Sequence, residues 1–249
     1  MVIEKFTPEK RNVVAERAIF EMMQEVPRGR SYADMIRLRI SGGAAAECED
    51  TYYVALEGEK CLSRLWNGWG RHENAIGNFG NFLTLEQARG QGIGGKMLRF
   101  WFDDLTGRER KPLGLFCSAK EEIAPIYFPY GFRPALSGRT AGPLYMPLGD
   151  SPESFRGFCE NYYQPADFLV RRKATVGWRH EIDCLLRFAL MEEGLPFGFG
   201  EGINLEAALL YHPGKAELLF TESGRCVGWL FDGEKQVFPA YLHAEIEQE

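Results

Sequence analysis

Apolar residues recur at helical spacing over residues 8–24, where Val13, Val14, Ala18, Ile19 and Met22 or Met23 share a face, so an amphipathic helix is predicted there. A second helix is expected over 32–40, stopped by Ser41-Gly42-Gly43. The pattern then changes to strand-like runs. Residues 51–56 read as a strand, and Glu57-Gly58-Glu59-Lys60 turns it back into 61–66 as a hairpin. Residues 74–85 form a further strand in which Gly77 and Gly80 mark a bulge or bend. A helical pattern runs from Lys96 to about Leu105, and 112–118 reads as a short buried strand. A helix is expected over 119–128, closed by Tyr130-Gly131-Phe132, and strands over 133–135 and 143–148 follow.

This order predicts an α/β fold with a mixed central sheet flanked by helices. Gly149-Asp150-Ser151-Pro152 reads as a boundary, dividing the chain into domains 1–150 and 151–249. In the second, 178–192 reads as a helix, 195–203 as a glycine-rich loop and 217–231 as a hairpin, which makes a smaller α+β region. Glu57-Gly58-Glu59-Lys60-Cys61-Leu62 and Glu222-Ser223-Gly224-Arg225-Cys226-Val227 match in pattern, each after a strand-like run and a helix. Two readings stay open, a degenerate half-copy of the first domain in the C-terminal region and the bland one that acid-turn-base hairpins arise by chance.

Composition narrows the functional classes. The net charge of −6 argues against a nucleic-acid binder that works through a basic footprint. Six cysteines show neither a C-x-x-C pair nor zinc-ligand spacing and read as reduced thiols, so no metal is expected. Charged residues from Glu4 to Arg11 interrupt any leader-like apolar stretch, and no run reaches transmembrane length. A soluble cytoplasmic protein with no membrane partner is expected, and a homodimer is left open.

The chemistry concentrates in Arg89-Gly90-Gln91-Gly92-Ile93-Gly94-Gly95-Lys96, between an apolar strand and a helix start. Glycines let backbone approach an anion closely, and a helix N-terminus supplies unpaired N–H groups and the positive end of its dipole. A dinucleotide fingerprint requires G-x-G-x-x-G after the first strand of its unit, and here the spacing is wrong and the turn follows at least the third strand. A P-loop requires Ser or Thr after its Lys, and Met97 stands there.

Arg89, Gly92 and Gly94 fit [QR]-x-x-G-x-[GA], and Ala124 to Phe132 fits A-x-x-[YF]-x-x-x-G-F. On these two motifs, residues 1–150 resemble the GNAT-type N-acetyltransferases. The resemblance implies acetyl-CoA as acyl donor, its pyrophosphate cradled by the amides of about Gly90 to Gly95, with the pantetheine arm along Phe82, Leu83, Thr84 or Leu85. It implies that Tyr127 protonates the leaving thiolate. Three features depart from the pattern. Lys120 or Glu121 stands where many members have asparagine, Thr84-Leu85-Glu86 replaces V-x-P, and Pro125 and Pro129 crowd the last helix.

The implied reaction is direct attack of an amine on acetyl-CoA in a ternary complex, the acceptor being an amine-bearing small molecule or peptide. An alkyl ammonium of pKa near 10.4 costs about 4–5 kcal/mol to deprotonate at pH 7, so a base is needed. Glu73 and His72 open the strand that leads to the coenzyme, where family members often place a carboxylate; a solvated turn is the bland alternative. Glu86 reads as surface, Cys117 as core packing, and Trp66 and Trp69 as packing before acceptor lining. His180-Glu181-x-x-Cys184 lacks the second histidine of a zinc motif and is expected on an ordinary helix surface. The segment 196–202 is a candidate lid. The competing class is a non-catalytic acyl-CoA-binding scaffold that engages a partner through residues 151–249.

Overall fold

The computed structural model describes residues 1–25, 33–192, 209, 216–231 and 234–248. The architecture is α/β: a large mixed sheet flanked by helices, with a second, smaller sheet in the C-terminal part. By contacts the chain divides into two units, Met1–Trp69 with Asn78–Lys111, and Gly70–Gly77 with Pro112–Glu249.

The first unit carries β1 (Val2–Phe6), α1 (Val13–Glu25), α2 (Ala33–Ile40), β2 (Cys48–Glu57), most of β3 (Lys60–Gly70) and of β4 (Gly77–Thr84), and α3 (Ile93–Gly107). Its strands lie in the order β1-β2-β3-β4. β1 runs antiparallel to β2, from Val2 opposite Leu56 to Phe6 opposite Tyr52. α1 starts later than the spacing predicted, because the Asn12 side chain accepts from the Ala15 N–H at 3.0 Å and caps the helix there. Its buried stripe is Ala15, Ala18, Ile19, Met22 and Met23, while Val13 and Val14 are exposed. α3 buries Met97, Leu98, Trp101 and Leu105 at intervals of three and four. The Trp101 indole donates to Asn67 Oδ1 at 3.1 Å, and its ring lies 4.5 Å from that of Phe79. Near the end of α3, Asp104 accepts from Lys5, from the Tyr53 hydroxyl at 2.6 Å and from Arg108 at 2.7 Å.

The second unit carries β5 (Gly114–Ala119), β6 (Arg133–Pro134) and β7 (Gly142–Pro147), in the order β5-β7-β6 with antiparallel pairing. It continues with α4 (Phe155–Tyr162), β8 (Phe168–Lys173), α5 (Arg179–Glu192), β9 (Ala216–Phe220), β10 (Cys226–Phe231), β11 (Glu234–Val237) and β12 (Glu245–Gln248). The smaller sheet has the order β11-β10-β9-β8-β12, with β12 parallel to β8. Aromatic rings dominate its core, among them Phe116, Tyr145, Phe155, Phe158, Tyr163 and Phe220.

Residues 119–128 do not form the expected helix. β5 runs to Ala119, and two 3-10 turns follow, Ala124–Ile126 and Phe128–Tyr130. Pro125 and Pro129 each lack the N–H an α-helix requires, so the segment closes with i to i−3 bonds, Tyr127 N–H to Ala124 at 3.0 Å and Tyr130 N–H to Tyr127 at 3.0 Å. Periodicity also left β1, α4, β8, β11 and β12 unread. The glycine-rich loop over 195–203 and the candidate lid within it lie outside the described residues.

The two hairpins agree beyond their turns. The Cys61 thiol donates to the Ser63 carbonyl, and the Cys226 thiol to that of Gly228, two residues on in each case. Leu85 N–H bonds the Leu62 carbonyl, and Phe238 N–H bonds that of Val227; both acceptors directly follow the cysteine. Each donor residue then opens a 3-10 turn, closed by Ala88 N–H to Leu85 and by Tyr241 N–H to Phe238.

Candidate functional site

In the first unit, the glycine-rich turn leaves β4 through a 3-10 turn (Glu86–Ala88) and enters α3 at Gly92. Gly90 and Gly92 have φ of 77° and 72°, a conformation that suits glycine and costs other residues about 1–2 kcal/mol. No side chain caps this N-terminus and no acidic residue occupies its first turn. The mouth is open, since a Cβ built at Gly90, Gly92 or Gly95 meets nothing within 4 Å. Gly94 differs. Its Cβ would lie 3.2 Å from the Phe82 ring and 3.7 Å from Thr84 Oγ1, so a small residue lets the helix start close against β4.

The end of β4 is held firmly. Ser63 Oγ donates to the Leu83 carbonyl at 3.1 Å and lies 2.9 Å from Thr84 Oγ1. Leu85 N–H bonds Leu62, and Arg89 Nε donates to the Thr84 carbonyl at 3.2 Å, tying the turn back to the strand. Phe82, Leu83 and Thr84 are half-buried, Leu85 and Ile93 are buried, and Arg89, Gln91 and Lys96 are exposed. Beside the turn, a groove of about 600 Å³ is lined by Ile3, Gly92, Gly95, Lys96, Arg99, Phe100 and Asp103. A helix N-terminus and two cationic side chains thus face one open groove, a donor set suited to a phosphorylated ligand.

Within β4 the left-handed backbone does not fall on a glycine. Gly80 does not take positive φ, and Asn81 does, at 54°. Asparagine tolerates the left-handed region better than most residues.

In the second unit, Tyr127 joins the two 3-10 turns, 6% exposed, with its ring edge-on to Phe132 at 5.8 Å. Burial, and secondarily nearby Cys117, pushes its phenol well above the ordinary value of 10.0. Tyr127 therefore stays protonated across the neutral range. Cys117 is buried in β5. Glu73 lies exposed in a turn beside Asn74, whose φ is 56°. Glu86 is exposed, while Trp66 and Trp69 are buried, the Trp66 indole donating to Asp50 Oδ1 at 2.7 Å.

The segment His180-Glu181-x-x-Cys184 corrects the sequence reading. His180, Glu181 and Cys184 are 2%, 0% and 1% exposed, far from an ordinary helix surface. Glu181 Oε1 accepts from the Ile76 N–H at 2.8 Å and lies 2.8 Å from His72 Nε2. The carboxylate thus satisfies a buried backbone N–H whose loss of a partner would cost about 1–3 kcal/mol. No local signal could have found this pairing, because it joins residues over a hundred positions apart.

All six cysteines are free and buried. Among the described residues no group of three or more His, Cys, Asp or Glu could hold a metal ion, and no helix is long and apolar enough to cross a membrane.

No family model and no curated protein matches the sequence. Among solved structures, the chain is similar to an acyl-CoA N-acyltransferase from Pseudomonas aeruginosa, at 16% identity over 58% of this chain and 98% of that one, with a TM-score of 0.44. It is similar to Escherichia coli ElaA at 12% identity, over 58% and 98% of the two chains, with a TM-score of 0.45. A GNAT-family acetyltransferase from Staphylococcus aureus Mu50 is similar at 14% identity, over 59% and 100%, with a TM-score of 0.41.

Proposed function

We propose that the protein is an N-acetyltransferase that moves an acetyl group from acetyl-CoA to an amine of a small molecule or peptide, by direct attack in a ternary complex. The observation that carries this reading is the start of α3: an uncapped helix N-terminus behind left-handed Gly92, open at Gly90, Gly92 and Gly95, beside a groove bearing Lys96 and Arg99. Those amides suit a diphosphate, and the two cations suit a further phosphate.

In this reading Phe82, Leu83, Thr84 and Leu85 run beside the pantetheine arm, and Arg89, Gln91, Ile93 and Gly94 shape the pyrophosphate turn. A backbone N–H of β4 near left-handed Asn81 is assigned to the carbonyl oxygen as it gains charge. The amine lone pair forms the C–N bond, the C–S bond breaks, and the amine's proton leaves to a base, for which Glu73 is the candidate. Tyr127 gives its proton to the departing sulfur. Its raised pKa makes that transfer uphill toward a thiolate of ordinary basicity, near 8.5. Tyr127 accordingly acts as a hydrogen-bond donor first and completes the transfer as the C–S bond breaks.

Residues 168–241 read as a degenerate half-copy of residues 2–88. Apart from α2, the described order β8-α5-β9-β10-β11 follows β1-α1-α2-β2-β3-β4, β8 to β11 lie in the same relative sheet order as β1 to β4, and the hydrogen bonds around Cys61 and Cys226 recur. The test of function mixes the protein with acetyl-CoA and a panel of amines and follows free thiol. Amine-dependent release that Tyr127→Phe loses supports the enzyme. Tight coenzyme binding with no release from any amine favours the non-catalytic scaffold, and coenzyme binding retained in Gly92→Glu would overturn the site itself.

A further inference from the structure

In the first unit a buried cation meets no acid. Arg64, in the middle of β3, is 8% exposed, and its Nε is sealed from solvent without an acceptor. Among the described residues no carboxylate forms an ion pair with it. The groups that act on its charge are Cys61 and Tyr52, a thiol and a phenol. Arg108 of the same unit makes the contrast, with Asp104 at 2.7 Å and Glu49 at 3.7 Å. Burial pulls the Arg64 guanidinium below its ordinary value, with Cys61 and Tyr52 opposing. A buried lysine can shed its proton, but a guanidinium keeps its charge at every physiological pH. Water on the sealed N–H would satisfy that hydrogen bond and leave the charge unbalanced.

The surroundings of Arg64 favour one kind of counter-charge. Side chains alternate along a strand, so Arg64 shares a face with Trp66, while Asn67 points the other way and meets Trp101 of α3. On the Arg64 face, β2 supplies Tyr52, stacked on Phe6, and Asp50, which accepts from the Trp66 indole at 2.7 Å. α2 reaches the same face through Arg39, whose guanidinium lies 5.0 Å from the Trp66 ring. The fork of a guanidinium matches the two oxygens of a carboxylate, and one buried positive charge calls for one negative charge in return. A phosphate dianion would overcharge so dry a place. We propose that Arg64 binds the carboxylate of a small organic acid on this face of β3, its Nε–H and one Nη–H donating to the two oxygens. The site is one that the coenzyme reading does not use, and it stands independently of that reading.

The test titrates the full chain with sodium acetate and sodium benzoate at constant ionic strength, with benzamide, phosphate and chloride as controls. Tm and the Arg64 Nε–H resonance, assigned by its loss in Arg64→Lys, are read together. The acids are expected to raise Tm and to move the resonance with a Kd of about 10 mM or tighter, the worth of one charge-assisted hydrogen bond. Benzamide should do neither. Arg64→Lys keeps a charge without the fork, and its Kd for the acids should be weaker by about tenfold or more. Arg64→Met removes the charge at similar length; without added acid it should melt above the parent, and acid should no longer raise its Tm. A resonance that neither acid moves at about 100 mM overturns the proposal. Equal effects of phosphate or chloride mark a general anion response and overturn it too. If Arg64→Met melts below the parent or fails to fold, the guanidinium is balanced within the chain and the proposal falls.

Discussion

Gly95→Ala separates folding from ligand binding at the glycine turn. Gly95 lies in the first turn of α3, and a Cβ there meets nothing within 4 Å. Replacing a helical glycine by alanine stabilises by about 0.5–1 kcal/mol, chiefly by restricting the unfolded chain. For a chain of this length, 1 kcal/mol moves Tm by about 2–4 °C, so the variant should melt about 1–4 °C above the parent. Cα–Cβ bonds in a helix tilt toward its N-terminus, which aims the new methyl at the mouth of the turn. If a diphosphate sits against those amides, the methyl displaces one charge-assisted contact worth about 1.5–3 kcal/mol. The Kd for coenzyme A then rises about 10- to 150-fold. Thermal denaturation and calorimetric titration on one preparation read both quantities. A higher Tm with an unchanged Kd would refute placement of the diphosphate at these amides. Gly92→Ala provides the contrast, since φ of 72° costs alanine about 1–2 kcal/mol and both Tm and affinity should fall.

Tyr127→Phe should lower kcat about 10²- to 10⁴-fold, the range of a lost general acid, with coenzyme affinity unchanged. Because burial and Cys117 raise the Tyr127 pKa, kcat in the parent should show no Tyr127-dependent fall below about pH 10; an alkaline limb near pH 8–9 that disappears in Tyr127→Phe would count against the assignment. Burial lifts the Cys61 thiol from 9.0 to about 12, with Arg64 and the Ser63 carbonyl bond opposing. Its folded pKa is above its unfolded one, so its contribution to stability is complete below pH 9 and is lost as pH rises toward 12; urea midpoints across that range should fall less steeply in Cys61→Ala. Burial opposes ionisation of Asp104, yet hydrogen bonds from Lys5, Tyr53 and Arg108 win and hold its carboxyl below the ordinary 3.8. Its contribution is therefore present above that value and lost as pH falls through the folded one, and Asp104→Ala should cost about 1–3 kcal/mol at pH 7, by chemical denaturation. Asn81→Gly should be neutral to stabilising and Asn81→Val should cost about 1–2 kcal/mol, because only the second opposes φ of 54°.

What the sequence disclosed follows the range of the forces involved. α3 and the β2–β3 hairpin were legible because their apolar spacing and turn residues act over a few positions. The glycine turn was legible for the same reason, as left-handed backbone at Gly90 and Gly92 is a local demand. The start of α1 was misplaced because apolar spacing begins before the cap that Asn12 supplies. The segment after β5 was misread as helix although its two prolines were in view, since the spacing outweighed the missing N–H groups. The strain at Asn81 escaped because glycine, not asparagine, is the usual sign of positive φ. Glu181 escaped entirely. Its environment is set by a loop 105 to 109 positions away, and along α5 alone His180-Glu181 reads as an ordinary helix surface.

Residues 61–88 and 226–241 share a set of hydrogen bonds, and the chain beyond them differs. Up to Ala88 and Tyr241 the hydrogen bonds correspond, including the 3-10 turn that leads out of β4 in one half and out of β11 in the other. Beyond that point the first half continues into Arg89, the glycines and α3, whereas the second continues through Leu242 and His243 into β12, which pairs parallel with β8. A chain that must return to an edge strand within four residues has no room for a helix, and without a helix there is no N-terminus to attract an anion. The polar capacity of the second half is directed elsewhere. Its α5 supplies Glu181 to the segment 70–77. On the proposed reading residues 89–96 hold the acyl donor, whereas the buried carboxylate of α5 is committed to the segment 70–77.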